Sequence, residues 1–321
     1  MKKLTLLAVL LAAAGVSGQG QRAAAVRPPA TIASPAIPGV VAAGTPIALV
    51  SGDFRRTEGP VGMPDGSLLV SDADRITRID PAGTISTFVE PSGGANAVSL
   101  DSKGRLISVE RAANQERVGV LYPQRATLLD TYEGKPFNRL NDLVVTSHGG
   151  IYFTDTAGIY YLSPEGKATR VAQGIPNPNG VILSPDEKVL YANDKDGLYL
   201  LAYDVATDGM VSNRRNFARY QSLRIAGHKD PLLAEDNGAD GLAVDNDGRV
   251  YVATNLGVEI FSPRGDHLGT MPAVWGGEQL RLRKPQNIAF AGPGKRTLFI
   301  VGSGAVFKVQ TLTQGPRNRA K

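Results

Sequence analysis

Six residues that carry a side-chain oxygen stand at matching positions along this chain of 321 residues. Each lies ten or eleven residues before a short apolar run that follows a turn. The six are Glu58, Asn96, Asn141, Asn179, Asp240 and Asn287. Donor sets made only of oxygen suit a hard cation such as calcium, whereas zinc and copper favour imidazole or thiolate ligands. If the fold brings the six together, the pattern predicts a divalent metal site, with calcium as the expected ion.

A plainer interpretation of the same residues is that they form turns. Asn or Asp before Gly is frequent in tight turns, and Asn179-Gly180 and Asp240-Gly241 are dipeptides of that kind. A calcium ion with a purely structural role also fits the pattern. The fold must therefore decide between turn residues and residues that share one site.

The apolar runs recur at intervals that indicate a repeated unit. Their first residues are separated by 38, 45, 39, 60 and 48 positions, and most runs are followed by a second strand-like run. Those first residues are Leu68, Leu106, Ile151, Leu190, Val250 and Leu298. A period of about 40 to 50 residues with several strands per unit is typical of a β-propeller. We therefore predict an all-β fold, a six-bladed β-propeller of four-stranded blades, whose innermost strands surround a central channel.

The propeller is predicted to span residues 47–312, with the chain ends outside it. Residues 1–18 are typical of a bacterial signal peptide, because a charged start is followed by a short apolar run and then by small residues. A periplasmic or secreted location follows from that prediction. Residues 19–46 are rich in Ala and Pro and are predicted to form a flexible leader, and residues 313–321 to form a basic tail.

Two further expectations concern the outline of the propeller. Residues 48–50 are predicted to add the outer strand of the last blade, which would close the ring and remove a sheet edge. The interval of 60 residues between the fourth and fifth repeats is the longest, and it is predicted to hold an inserted loop around Thr207 to Gly238.

The composition excludes several classes of function. The chain has no Cys, which excludes disulfide scaffolds, thiol catalysis and cysteine-ligated metal centres. Three His are too few for a histidine-rich metal site. The formal net charge is +5, but the basic residues are scattered and form no patch for nucleic acid. We predict a small-molecule lactone or ester as partner, no nucleic acid, and no stable membrane anchor in the mature form.

Several short motifs appear in a fixed order along the chain. They are Glu58-Gly59-Pro60, Asn138 to Asp142, Ile151 to Asp155, Pro178-Asn179-Gly180 and Asp240 to Asp245. The ordered set resembles the senescence marker protein/gluconolactonase family, which includes regucalcin, and the resemblance extends from about Ile47 to Val309. It implies a six-bladed propeller, in agreement with the repeat count, a central divalent metal, and hydrolysis of lactones.

The resemblance also implies roles for individual residues. It places the metal on Glu58, Asn179 and Asp240. Asn141 falls where some members have a further ligand and others a substrate contact, and Arg139 falls where some have a substrate contact. The same resemblance implies that Asp142 orients a ligand or a bound water. From its position on the channel, Asn96 is added to the predicted substrate-binding residues, and Asn287 is expected to line the same channel floor.

A mechanism follows from the implied site. A bound cation with an open position would polarise a lactone carbonyl and stabilise the oxyanion that forms. Water is the expected nucleophile, because the chain has neither Cys nor a Gly-x-Ser-x-Gly motif. Asp240 is predicted to be the general base as well as a metal ligand. The alternative is a non-catalytic propeller that binds a ligand or a protein and uses calcium as a structural element.

Departures from the family pattern fall where substrate should enter, so the substrate is left open. Glu110-Arg111 stands where many members have Glu-His, and both residues are expected to be solvated charges at the rim. Asp155 and Asp194 end predicted inner strands, as channel residues or as turn caps. His228, in the predicted insertion, could reach the channel mouth.

Overall fold

A computed structural model describes residues 31–113, 115–223, 236–272 and 285–317. These residues form 27 β-strands and one short 3₁₀ turn, Pro293–Lys295. Within the same residues, no helix has the length and apolar character needed to cross a membrane. The predicted signal peptide, residues 1–18, and His228 lie outside the described residues. The predicted all-β fold is confirmed.

The strands fall into blades in chain order. The chain starts with β1 (Thr31–Ala33) and β2 (Pro46–Ser51). Blade 1 contains β3 (Glu58–Gly62), β4 (Leu68–Asp72), β5 (Arg75–Ile79) and β6 (Ile85–Val89). Blade 2 contains β7 (Ala95–Leu100), β8 (Leu106–Ala112), β9 (Gln115–Tyr122) and β10 (Ala126–Leu129). A small hairpin of β11 (Thr131–Tyr132) and β12 (Lys135–Pro136) follows blade 2.

The remaining blades continue the series. Blade 3 contains β13 (Leu143–Val145), β14 (Ile151–Asp155), β15 (Gly158–Leu162) and β16 (Ala168–Ala172). Blade 4 contains β17 (Pro178–Leu183), β18 (Val189–Asp194), β19 (Tyr199–Val205) and β20 (Val211–Arg219). Blade 5 contains β21 (Leu242–Val244), β22 (Val250–Thr254), β23 (Gly257–Phe261) and β24 (His267–Pro272). Blade 6 contains β25 (Asn287–Ala291), β26 (Thr297–Gly302) and β27 (Ala305–Gln310).

The first strands of the blades form a closed ring. Each of β3, β7, β13, β17, β21 and β25 contacts the first strand of the blade on either side. Their residues are buried almost throughout, whereas most residues of the outer strands β6, β10, β16 and β20 are exposed or half-buried. Burial therefore falls from the channel to the rim, as expected for a propeller, and the predicted six blades are confirmed.

The sixth blade closes the ring with strands from the start of the chain. β2 pairs antiparallel with β27, with Ile47 opposite Val309, so the predicted closing strand at residues 48–50 is present. β1 pairs in turn with β2, which gives this blade five strands where four were expected. The added strand covers an edge that would otherwise expose unpaired backbone groups.

Parts of both predicted flanking segments pack onto the propeller. Ile37, Val40 and Val41 fall within the predicted leader, yet they are buried in a cluster with residues of blades 5 and 6. The Ala- and Pro-rich composition gave no indication that these three apolar residues are buried, and their burial offsets part of the entropy lost on ordering the segment. At the other end, Gly315 N–H donates to Lys295 O at 2.9 Å, so the predicted tail also begins inside the packed structure.

The predicted insertion between the fourth and fifth repeats contains a regular strand. β20 pairs with β19 along the outer edge of blade 4, so Val211–Arg219 is not loop as expected. Its polar residues lie on an exposed edge, where both faces meet water, and no apolar alternation marks it in the sequence. Residues 224–235 of the predicted insertion lie outside the described residues.

Side chains pack between neighbouring blades to make the core. Tyr152 of blade 3 and Leu190 of blade 4 belong to one buried cluster, and Ala97 of blade 2 joins Phe153 of blade 3 in another. Burying an aliphatic or aromatic side chain stabilises a fold by about 1.5–3 kcal/mol. These interfaces hold the blades, and therefore the starts of the innermost strands, in fixed positions.

Candidate functional site

The six oxygen-bearing residues lie at the beginning of the innermost strands. Glu58 and Asn287 begin β3 and β25. Asn96 and Asn179 are the second residues of β7 and β17, and Asn141 and Asp240 shortly precede β13 and β21. Five of them are buried, and Asn141 is half-buried. Because the first strands form a ring, all six stand at one end of the channel.

Hydrogen bonds connect neighbouring members of this set around the ring. Asn287 Nδ2 donates to Glu58 Oε2 at 3.2 Å, joining blade 6 to blade 1. Asn96 Nδ2 donates to the backbone oxygen of Asn141 at 2.7 Å, joining blade 2 to blade 3. The polar residues of the inner ring therefore bridge successive blades.

The electrostatics of Glu58 favour a bound cation. Burial, and then the negative charge of Asp240, raise the pKa of Glu58 from 4.5 to about 7. The Gly59 N–H, at 2.9 Å from Oε2, the charge of Arg56 and the Asn287 amide oppose this rise. Two buried carboxylates whose charges disfavour one another are stabilised when a divalent cation lies between or beside them.

Asn179 presents an unpaired acceptor at the same end of the channel. Its side-chain Oδ1 is buried and has no hydrogen-bond partner among the described residues. Its backbone oxygen, by contrast, accepts a bond from Thr154 Oγ1 at 2.7 Å. A buried acceptor without a partner costs about 1–3 kcal/mol, so a ligand that contacts this oxygen would be favoured.

The side-chain oxygen atoms of these residues fit a hard divalent cation. Glu58, Asp240 and Asn179 offer only oxygen atoms, and Asn141 stands beside them on the ring. Across the described ranges, no group of three His, Cys, Asp or Glu side chains converges as a metal site. A cation at this position would therefore depend on amide oxygens in addition to the two carboxylates, which is a chemistry suited to calcium.

The glycines that follow two of these residues allow the blades to approach closely. A Cβ on Gly180 would lie 2.2 Å from the backbone oxygen of Asp240, and one on Gly241 would lie 2.0 Å from Asn287 Oδ1. Asn179 and Gly180 both lie within β17 rather than in a turn. The Asn-Gly and Asp-Gly dipeptides therefore reflect tight packing around the ring, and the turn interpretation does not hold for Asn179.

Asp142 supports this packing from the neighbouring blade. Its Oδ1 accepts from Leu143 N–H at 2.9 Å, and its Oδ2 accepts from Val181 N–H at 3.2 Å. Val181 lies two residues after Asn179 on β17. Asp142 therefore holds the backbone of β17, the strand that carries the predicted ligand Asn179.

Two basic residues that the sequence analysis missed contact the predicted site. The Arg56 guanidinium donates to Asn96 Oδ1, and Lys195 Nζ lies 3.6 Å from Asp240 Oδ2 and 3.6 Å from Asp236 Oδ2. Arg56 is two residues before Glu58, a proximity that could have indicated it. Lys195 lies in the turn after β18, and its sequence position gives no comparable signal. With Arg56 on its oxygen, Asn96 has both ends of its amide bonded within the protein.

Glu110 and Arg111 are not the solvated rim charges that were expected. Glu110 is fully buried, and its Oε2 accepts from Arg117 Nη2 at 2.7 Å and from Arg125 Nη1 at 3.1 Å. Arg111 Nε donates to the backbone oxygen of Leu140, and burial lowers the pKa of Arg111. Both side chains point toward the protein interior, where Glu110 meets two arginines and Arg111 meets a backbone carbonyl.

Asp155 and Asp194 cap the loops that lead into the inner strands. Asp155 Oδ1 accepts from Ala157 N–H at 2.7 Å. Asp194 Oδ1 accepts from Asn177 N–H at 3.2 Å and from Asp196 N–H at 3.1 Å. Of the two roles considered for these residues, the structure therefore places them as turn caps.

Arg139 lies in the loop before β13, at the same end of the channel. It is exposed and adopts a left-handed backbone conformation, with φ 57°. Its positive charge reaches Arg111, whose pKa it lowers further. The predicted substrate contact is therefore at the mouth of the channel, beside the inner ring.

Residues 56–304 match the model of a known family, described as the SMP-30/gluconolactonase/LRE-like region. The match covers the propeller from just before β3 to the turn after β26, including all six residues of the inner ring. The chain belongs to this family. The predicted family resemblance is confirmed.

Individual members of the SMP-30/gluconolactonase family resemble the chain over most of its length. A gluconolactonase from Zymomonas mobilis is 28% identical, over 96% of this chain and 95% of the relative. A solved gluconolactonase from Xanthomonas campestris superposes with a TM-score of 0.71 at 24% identity, over 89% of this chain and 99% of that one. A calcium-binding regucalcin from Agrobacterium tumefaciens gives 0.66 at 16% identity, over 87% and 95%. The two solved structures support the fold.

Proposed function

We propose that this protein is a metal-dependent hydrolase that opens a lactone such as a sugar lactone, with calcium as its cation. The observation that carries the proposal is the grouping of two buried carboxylates, Glu58 and Asp240, with the unpaired amide oxygen of Asn179 at one end of the channel. The near full-length similarity to a gluconolactonase supports the reaction, and the likeness to a calcium-binding regucalcin supports the ion.

The metal would be held by Glu58, Asn179 and Asp240, with Asn141 as a further ligand. When bound, the cation would supply a Lewis acid that polarises the lactone carbonyl and stabilises negative charge on its oxygen. Contacts between blades fix these ligands, since Asp142 accepts from the backbone of β17 and Asn287 donates to the side chain of Glu58. The side chains are thus oriented before the substrate arrives.

The residues of this chain also provide for the attacking water. Asp240 is the proposed general base, because its carboxylate lies on the inner ring and can accept the proton that water loses. Lys195, 3.6 Å from Asp240 Oδ2, stabilises the carboxylate as an anion. Arg139 and Asn141 at the channel mouth would orient polar groups of the substrate, and Asn96 would keep its position by bonding Arg56 and Asn141.

Proton release on a panel of sugar and aliphatic lactones at constant pH tests this proposal. Turnover should require calcium, stop with excess chelator, and be lost in Glu58→Gln and Asp240→Asn. Asp204→Asn is the matched control, because this carboxylate is near the end of β19, away from the innermost strand, and pairs with the exposed Arg215 and Asn213. Undiminished turnover in chelator would contradict the metal requirement. Lactone binding without turnover by the calcium-loaded protein would favour the non-catalytic propeller.

We also propose that the protein is exported to the periplasm or the medium. The supporting observation is the charged, apolar and small-residue order of residues 1–18. Fractionation of a bacterium that expresses the full chain, with sequencing of the mature N-terminus, tests this. Protein retained in the cytoplasm with Met1 or Lys2 at its start would contradict export.

A further inference from the structure

Three arginine side chains gather on one side of the channel mouth. Arg56 precedes β3, Arg111 lies near the end of β8, and Arg139 precedes β13, so they come from blades 1, 2 and 3. After burial, the positive charge of Arg56 is the next cause that lowers the pKa of Arg111, and Arg139 adds to it. The guanidinium groups of Arg56 and Arg139 are therefore near enough to Arg111 to repel it.

Arg111 has a buried donor that nothing in the described structure accepts. Its Nε donates to Leu140 O, while Nη2 is buried without a hydrogen-bond partner among the described residues. Leaving a buried charged donor unpaired is more unfavourable than leaving a neutral one. An acceptor with negative charge would pair with Arg111 Nη2 and would reduce the repulsion between Arg111 and the neighbouring arginines.

Several other arginines of the protein pair directly with a carboxylate. Arg117 and Arg125, further along the same blade, both pair with the buried carboxylate of Glu110. Arg75 pairs with Asp72 in the same way.

Neither Arg56, Arg111 nor Arg139 has such a carboxylate partner within the described residues. Glu116, whose charge reaches Arg111, accepts a hydrogen bond from Leu140 N–H instead. The three arginines at the mouth therefore lack the direct carboxylate pairing that Arg75, Arg117 and Arg125 have, while the charge of Glu58 reaches both Arg56 and Arg111.

We infer that the substrate carries an anionic group, a carboxylate or a phosphate, and that Arg56 and Arg111 bind it, with Arg139 completing the site. Guanidinium groups recognise both anions through paired hydrogen bonds. Arg56 is two residues before Glu58, so this site is adjacent to the proposed cation site, and one ligand can span both. The inference rests on the proposed lactone hydrolysis and narrows its substrate class.

Matched lactones test the inference through activity. The probes are glucono-1,5-lactone, which is neutral, its 6-phosphate, and a glucarolactone that carries a carboxylate. We expect kcat/KM to favour one or both charged lactones by at least about tenfold, as for hydrogen bonds to charged groups. In Arg111→Gln and Arg56→Gln, the ratio of kcat/KM on the charged lactones to kcat/KM on the neutral lactone should fall about 10- to 100-fold.

The controls separate charge recognition from a structural effect. Arg111→Lys keeps the positive charge and should restore part of the preference for anions. Arg78→Gln removes a half-buried arginine of β5 that contacts Asp65 and Ser67, away from the channel mouth, and it should leave kcat/KM unchanged on both neutral and charged lactones. If Arg111→Gln does not fold, Arg56→Gln provides the same comparison. An equal fall on neutral and charged lactones would overturn the inference.

Calorimetry separates the failure of this inference from failure of the proposed function. The probes are glucarate, 6-phosphogluconate and neutral glucitol, added to chelated protein so that carboxylate–calcium contacts play no part. Anion binding that is lost in Arg111→Gln, in a protein that hydrolyses no lactone, would support the anion site and contradict the hydrolase. Lactone turnover with no preference for anions, and with no anion binding, would support the hydrolase and contradict the anion site. The tighter of the two anions identifies the group as carboxylate or phosphate.

Discussion

Glu58 and Asp240 are buried carboxylates on blades 1 and 5 that influence each other across the inner ring: burial, and then the charge of Asp240, raise the pKa of Glu58 to about 7. The two residues are separated by most of the chain, and the circular arrangement of the blades brings them into one electrostatic environment. The structure places beside them an amide oxygen without a partner, that of Asn179. Several outcomes can be expected from this arrangement.

The stability of the chelated protein should fall as the pH rises from about 4.5 to above 7. In that window the unfolded chain releases the Glu58 proton before the folded chain does, because the folded pKa is about 7 against 4.5. The loss should be on the order of 3 kcal/mol. Urea unfolding at several pH values should show a flatter profile for Glu58→Gln than for wild type. Parallel profiles would contradict the raised pKa.

Asn287→Ala should weaken calcium binding more at pH 6.5 than at pH 9. The 3.2 Å hydrogen bond from Asn287 to Glu58 Oε2 lowers the pKa of Glu58. Because the substitution removes this bond, the pKa of Glu58 should rise, and protons should compete more strongly with the metal. Calcium titration of wild type and variant at both pH values measures the difference. A loss of affinity that is equal at the two pH values would show that Asn287 acts only by packing.

Asn179→Ala and Asn193→Ala should separate metal binding from stability. Asn179 Oδ1 has no partner, whereas Asn193 donates to Asp240 O and accepts from Tyr220 Oη at 2.7 Å. We expect Asn179→Ala to lower calcium affinity at least about tenfold while changing the stability of the chelated protein by less than about 1 kcal/mol.

Asn193→Ala should lower the unfolding free energy of the chelated protein by about 2–3 kcal/mol, because two buried polar groups lose their partners. Denaturant unfolding and calcium titration of both variants give the two quantities. Wild-type calcium affinity in Asn179→Ala would exclude this residue as a ligand.

Gly180→Ala should destabilise the protein by more than about 2 kcal/mol, because the added Cβ would lie 2.2 Å from the backbone oxygen of Asp240. Gly52→Ala is the matched control, since a Cβ there meets no atom within 4 Å and the backbone is not left-handed. Thermal unfolding should place the control within about 0.5 kcal/mol of wild type. Equal stability of the two variants would contradict the close approach of the blades.

The repeat made the blade number and the inner ring predictable. Counting back from each apolar run located Glu58 and Asp240 at the same end of the channel, because equivalent strands occupy equivalent places. β20 escaped prediction because an edge strand exposed on both faces needs no apolar alternation. Arg111 was misjudged because its burial depends on a carbonyl of another blade, Leu140 O, which no local pattern reveals.

The same limit applies to Lys195. Its ammonium group meets Asp240, which belongs to the next blade and is distant in sequence. Charge partners of this kind depend on side-chain reach across a blade interface, whereas the repeat records only backbone position. The ring of oxygen donors was therefore accessible from the sequence, whereas the contact of Lys195 with Asp240 was not.

The pairing of β2 with β27 has a consequence for how the molecule is made. β2 is synthesised before the strands of blades 1 to 5, and β27 is the last strand of the described residues. Until β27 has been synthesised, the edge of β2 that pairs with it leaves backbone donors and acceptors open to other chains. A chain that is truncated before Ala305 would leave that edge uncovered. It would therefore be prone to aggregation and would be a target for chaperones and proteases. Closure of blade 6 therefore requires that the chain be made at least through Gln310.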